Sequence, residues 1–108
     1  MSFLTKLAKN QPCLIRLPDC DGGGFGGTTV PCHYRDSSIG AGMGLKPDDI
    51  FCAFGCVRCH DAVDFRRFID GYTREEIRLA HAVGVFRTLD WLIARGHVQI
   101  GKRWKETA

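Results

Sequence analysis

Two cysteine pairs constrain this chain more than any other feature. Six residues separate Cys13 from Cys20 and two separate Cys56 from Cys59, with His60 directly following. A two-residue spacer lets both sulfurs of a pair reach one ion, and zinc takes four soft ligands tetrahedrally. The four thiolates are therefore expected to hold one structural zinc ion, the second pair being the stronger signal and the first the looser loop. At 108 residues the chain is expected to be one domain, residues 1–108, whose small core gains from a metal staple. Cys32 and Cys52 lie among apolar neighbours in β-prone segments and fit buried thiols that pack as small hydrophobes.

The opening residues, Met1 to Lys9, contain no continuous apolar core of a signal peptide, and no stretch approaches the roughly 20 apolar residues of a membrane span. A cytoplasmic protein without a membrane partner is expected, and in that compartment cysteines point to metal before disulfides. Cys56-Val57-Arg58-Cys59-His60 also fits the c-type haem attachment pattern. That reading needs export and leaves Cys13 and Cys20 without a role. Neither glycine-rich stretch binds phosphate by pattern: Gly22 to Thr28 has no Lys before its Thr, and Gly40 to Gly44 opens no convincing helix.

A short amphipathic helix is expected over 3–9, a knuckle loop over 13–20 and a flexible glycine connection over 21–27. Thr28 to Arg35 reads as a strand, with Pro31 marking an edge or bulge, and Ile50 to Phe54 as a second strand beyond a long loop over 36–48. A helix over about 58–69 follows the second cysteine pair and stops by Gly71. Thr73 and Glu76 form a capping box that opens the clearest helix, with Gly96 as its C-terminal stop. A short strand over 97–100 and a basic tail over 101–108 close the chain. The fold class is α+β, with the last helix as main core partner of the two strands and their following helix.

His60 and Asp64 are four apart on a helix, so both side chains share one face and can grip a divalent cation such as Mg²⁺, Mn²⁺ or Zn²⁺ beside a phosphate. His33, in the first strand, is a candidate general base if it faces that cation, because its pKa lies near working pH. Net charge is only +3, but the basic excess lies in the second half, from Arg66-Arg67 to Lys105, which permits contact with nucleic-acid phosphates.

Taken together, the Cys-x6-Cys spacing, Cys32-His33, Asp49-Ile50, Cys56-x2-Cys59-His60 and Asp64 resemble the HNH (ββα-metal) endonucleases with a four-cysteine zinc knuckle. With Lys46-Pro47-x-Asp49, the Cys-x2-Cys-His-Asp-x-x-Asp run and Trp91-Leu92, the chain resembles more closely the YbcO family of small prophage-encoded nucleases. The resemblance covers nearly the whole chain. It implies a ββα-metal unit packed against N- and C-terminal helices, and a metal-dependent DNA endonuclease working in phage recombination or DNA processing. His33 then matches the general base, and Asp49 the position that braces the loop through backbone hydrogen bonds. His60 and Asp64 match the ligands of the catalytic cation. Relatives carry Asp, His or Glu before the base, as a further ligand; here Cys32 either binds a soft cation as thiolate or leaves two protein ligands. DNA is the implied partner, with a recombination protein and a second copy of the chain as further candidates. The competing expectation is a zinc-containing DNA- or protein-binding module without catalysis.

Overall fold

A computed structural model describes residues 6–24, 27–35 and 50–99, which form a small α+β unit of two strands and two helices. Strand β1 (Val30–His33) pairs antiparallel with β2 (Cys52–Gly55), so that Pro31 faces Phe54 and His33 faces Cys52. Helix α1 (Val57–Val63) follows at once, and α2 (Arg74–Ala94) packs across β2.

Pro31 sits where a missing N–H costs the ladder nothing. Its opposite residue, Phe54, turns both backbone groups away from β1: the N–H donates to Thr88 Oγ1 at 2.9 Å and the carbonyl accepts from Leu14 N–H at 2.7 Å. In an antiparallel ladder this marks a non-hydrogen-bonded pair, where the proline nitrogen also points outward. Thr88 and Leu14 thus do for the outer edge of β2 what a third strand would do. Thr88 is fully buried, and its hydroxyl donates in turn to Gly84 O at 2.8 Å. Replacing it with Val, of nearly the same shape, strands the Phe54 amide. Thr88→Val is expected to lower unfolding stability by about 1–3 kcal/mol, read as a lower urea midpoint at unchanged slope.

Helix α2 begins at the expected capping box: Glu76 N–H donates to Thr73 Oγ1 and Thr73 N–H to Glu76 Oε1, both at 3.1 Å. It ends in a Schellman arrangement, with Gly96 at φ +75°, its N–H on Ile93 O and the His97 N–H on Leu92 O. These bonds correct the expectation of a strand over 97–100. His97 and Val98 serve the helix cap, both amides reaching Leu92 O, and Val98 packs on the Leu92 cluster; residue 100 lies outside the described residues. The face Ile77, His81, Gly84, Val85, Thr88, Leu92 is buried, a helical spacing of three and four. At Gly84 a Cβ would lie 2.9 Å from Ile15 Cγ1 and 3.1 Å from Ala53 Cβ, so glycine lets the helix lie close on β2.

Helix α1 is shorter than the expected 58–69. It stops at Asp64 because Phe65 adopts φ +59°, and the Arg66 and Arg67 amides both fold back onto Asp61 O. The glycine connection is also more ordered than its composition implies, since Gly23 bridges to Pro12 and a Cβ there would press on Cys13 N and Gln11 O, both at 2.9 Å. Of the opening helix, residues 6–10 are described and make a turn ending at Asn10, φ +66°. The loop over 36–48, Asp49 and the basic tail lie outside the described residues. No helix among the described residues is long and apolar enough to cross a membrane.

Candidate metal centre and active site

The two cysteine pairs meet. The sulfurs of Cys13, Cys20, Cys56 and Cys59 all lie within 4.8 Å of one another, three of the residues buried and Cys20 half-buried. A tetrahedron of thiolates about 2.3 Å from zinc has edges of about 3.8 Å, and Cys56 Sγ lies 3.6 Å from Cys20 Sγ. Backbone amides already serve the sulfurs: Cys59 N–H donates to Cys56 Sγ at 3.4 Å and Gly22 N–H to Cys20 Sγ at 3.3 Å. The first bond caps α1, so the knuckle and the helix start are one structure. Arg58 Nε donates to Asp19 O at 2.7 Å and Arg67 Nη2 to Pro18 O at 3.0 Å, tying the loop of the first pair to the second.

Electrostatics favour a cation here. The hydrogen bond from Cys59 draws the Cys13 thiol down to about 4, while Cys59 is pushed up by keeping its proton. Burial pushes Cys20 up to about 11. Thiolates gathered at this spacing repel one another. A divalent ion removes that conflict, and an all-sulfur donor set of this size suits Zn²⁺.

One turn further along α1, His60 Nε2 lies 3.5 Å from Asp64 Oδ2, both side chains partly exposed. Arg66 Nη2 approaches the same carboxylate oxygen at 3.8 Å. Asp64 also lines a cleft of about 220 Å³ together with His33, Arg35, Arg78 and His81. The fold therefore brings His33 from β1 and Asp64 from α1 to one cavity, with His60 reaching it through Asp64.

Cys32 is not gathered with them. It is 1 % exposed, its thiol donates to Val30 O at 3.6 Å, and burial pushes its pKa well up. Successive strand residues point to opposite faces, so the position before His33 faces the core, where Cys32 packs with Ile15 and Ala53. Among the described residues, the four knuckle cysteines are the one group able to hold a metal through three or more such side chains. The expectation of a thiolate ligand from Cys32 is corrected accordingly. Cys52 is a fully buried core residue, as expected.

His81 escaped sequence reasoning. It is 5 % exposed on the core face of α2, with Nε2 2.8 Å from Cys32 O. A carbonyl only accepts, so Nε2 carries the hydrogen. Burial holds the ring's pKa below its usual value, and Tyr34 packs against it edge-on at 5.0 Å. His81 thus holds the β1 backbone beside His33. Histidine within an apolar helical face carries no signal that separates it from an ordinary core residue.

Comparison with known proteins points to one family. The family model described as "Putative nuclease YbcO" matches residues 2–97. Over 78 residues the chain is 37% identical to "Putative nuclease YbcO" of Escherichia coli (strain K12), covering 69% of this chain and 78% of that protein. The same figures hold for "Putative nuclease ybcO" of Enterobacteria phage 82. A solved structure, "Structure of a putative bacteriophage protein from Escherichia coli str. K-12 substr. MG1655", superposes with a TM-score of 0.68 at 26% identity, over 86% of this chain and 99% of that one.

Proposed function

The chain belongs to the family described as "Putative nuclease YbcO", and from that membership we propose that it is a metal-dependent endonuclease of the HNH type, hydrolysing phosphodiester bonds in DNA. The observation that carries this reading is the shared cleft of His33 and Asp64, with His60 at 3.5 Å from the Asp64 carboxylate. The relative in Enterobacteria phage 82 supports a place in phage DNA processing or recombination.

In the proposed mechanism His60 and Asp64 would hold a divalent cation, Mg²⁺, Mn²⁺ or Zn²⁺. Bound there, the cation would neutralise charge on the scissile phosphate and the departing oxygen. His33 takes a proton from a water molecule whose oxygen attacks phosphorus while the bond to the leaving oxygen breaks. His81 acts through the backbone, fixing Cys32 O and with it the direction of the next side chain, so it is a positioning residue. Arg35 and Arg78 supply positive charge beside the cleft, where a phosphate diester would sit. Asp49 is assigned to bracing the loop before β2, on the family pattern alone. An ion held by the four knuckle cysteines would brace the frame and take no part in the chemistry.

The test is nicking of supercoiled plasmid by purified protein with Mg²⁺, Mn²⁺, Zn²⁺ or none, beside Asp64→Asn. Metal-dependent nicking is expected, with on the order of a 100-fold loss in the variant, because the amide keeps the shape and drops the charge that binds the cation. Zinc-loaded, folded wild type that binds DNA but nicks it under none of these conditions would instead identify a non-catalytic binding module.

A further inference from the structure

The segment directly after Asp64 is both fixed and conspicuously bare. Its backbone is pinned by the Phe65 amide on Ala62 O and the Arg66 and Arg67 amides on Asp61 O. Arg67 adds two bonds of 3.0 Å, to Arg58 O and to Pro18 O, and Ile69 is buried. On this rigid loop Phe68 is 84 % exposed, more than any other large hydrophobic side chain among the described residues. A ring held in water by a pinned backbone contributes nothing to the core and is the kind of feature that marks a contact surface.

The surroundings define the contact. Beside Phe68 lies a cleft of about 350 Å³ whose lining includes the rings of Phe65 and Tyr72 and the guanidinium-bearing side chains of Arg66, Arg67 and Arg74, with no carboxylate among the lining residues. That volume is at the lower end of small-ligand pockets, which run from about 300 to 1,000 Å³. Arg74 already stacks its guanidinium on Phe65, 3.9 Å from the ring centroid. Arg66 is 67 % exposed and stands between this cleft and the Asp64 carboxylate. Aromatic faces interleaved with cationic groups match a nucleic-acid strand, with Asp61 and Asp64 pairing, among these arginines, only with Arg66 at the cleft's edge: bases stack on the rings while phosphates meet the arginines. Bases inside a closed duplex have both faces covered by their neighbours, so a stacking ring needs an unpaired one.

We propose that the Phe65–Phe68–Tyr72 cleft seats an unpaired nucleobase next to the His60/Asp64 centre, so that the DNA taken by this protein carries single-stranded character beside the cut. This rests on the nuclease reading above for its substrate, and on the cleft itself for its selectivity. Arg66 and Arg74 hold the flanking phosphates.

The experiment compares zinc-loaded wild type, Phe68→Ala, Phe68→Trp and Phe86→Ala on a short single strand containing 2-aminopurine and on the fully paired duplex of the same sequence, without added divalent cation. Wild type is expected to bind the single strand more tightly than the duplex and to change the 2-aminopurine emission by stacking. Phe68→Ala should weaken single-strand binding about 10-fold and remove the emission change, with duplex binding unaltered. Phe68→Trp should restore both. Phe86, 68 % exposed on α2, is the control and should be silent. Thermal melting of each variant checks folding. Single-strand binding and emission unchanged in Phe68→Ala would overturn the proposal, as would a wild type that prefers duplex or binds neither. Plasmid nicking run alongside keeps the two readings apart: nicking that persists while Phe68 is silent retires the base seat alone, and Phe68-dependent binding without any nicking retires the chemistry alone.

Discussion

Cys59→Ser is expected to yield a chain that does not reach its native fold, with far-UV helical signal and bound zinc lost together. Cys59 is fully inaccessible, lies in the first turn of α1 and stands in the core cluster with Ile15, Leu17 and Ala62. The apparent binding free energy of a structural zinc site, roughly 10–16 kcal/mol, is as large as the whole stability of a typical domain, about 5–15 kcal/mol. Among the described residues, two strands of four residues and two helices form too small a core to make up that loss. Titrating the wild type with a strong chelator should give the same unfolded spectrum, and added Zn²⁺ should reverse it. A chelated protein that kept its circular dichroism and melting temperature would show that the four thiols pack as hydrophobic groups and that the staple is not needed.

His33→Ala is expected to abolish metal-dependent nicking, a loss of about 10²- to 10⁴-fold, while zinc content and melting temperature stay at wild-type values. The separation of the two effects is the informative part. His33 lies at the end of β1 on the cleft side and is half-buried, and it belongs to neither core cluster. The side chains of both clusters, the buried knuckle cysteines and Phe54 among them, pack on one another without it. Nicking by the variant at the wild-type rate would strike His33 from the mechanism and return the search for a base to the remaining cleft residues.

The parts of the molecule that were legible in the sequence are those where one residue type has few structural uses. Four cysteines in two close pairs meet as expected, because sulfurs that share an ion need that spacing. Thr73 and Glu76 form their capping box because both groups act within one turn. His60 and Asp64 approach because four residues on a helix leave them little choice. What escaped depended on the path of the backbone. The left-handed conformation at Phe65 ends α1 early, although Phe has no preference for it, and the reason lies in the bonds that Arg67 makes to the knuckle. Cys32 beside His33 suggested a ligand, yet strand alternation sends neighbours to opposite faces. Thr88 and His81 look like interruptions of an apolar helix. Each instead satisfies a backbone group of the sheet, which only the crossing of α2 over β2 reveals.

The distribution of the knuckle cysteines along the chain also sets an order of events during synthesis. Cys20 and Cys56 are 36 positions apart, which at about 5–20 residues per second separates their emergence by roughly two to seven seconds. Throughout that interval the growing polypeptide offers an ion only half of its ligands, and β1 leaves the ribosome with nothing to pair with. The second half of the site arrives within a few residues of His60 and Asp64. Capture of the ion and assembly of the pair proposed to hold the catalytic cation therefore fall at the same moment. On the proposed assignment, the residues for the catalytic cation come together no sooner than the four-cysteine clasp, and a cell short of the clasp's ion would make the chain without completing either.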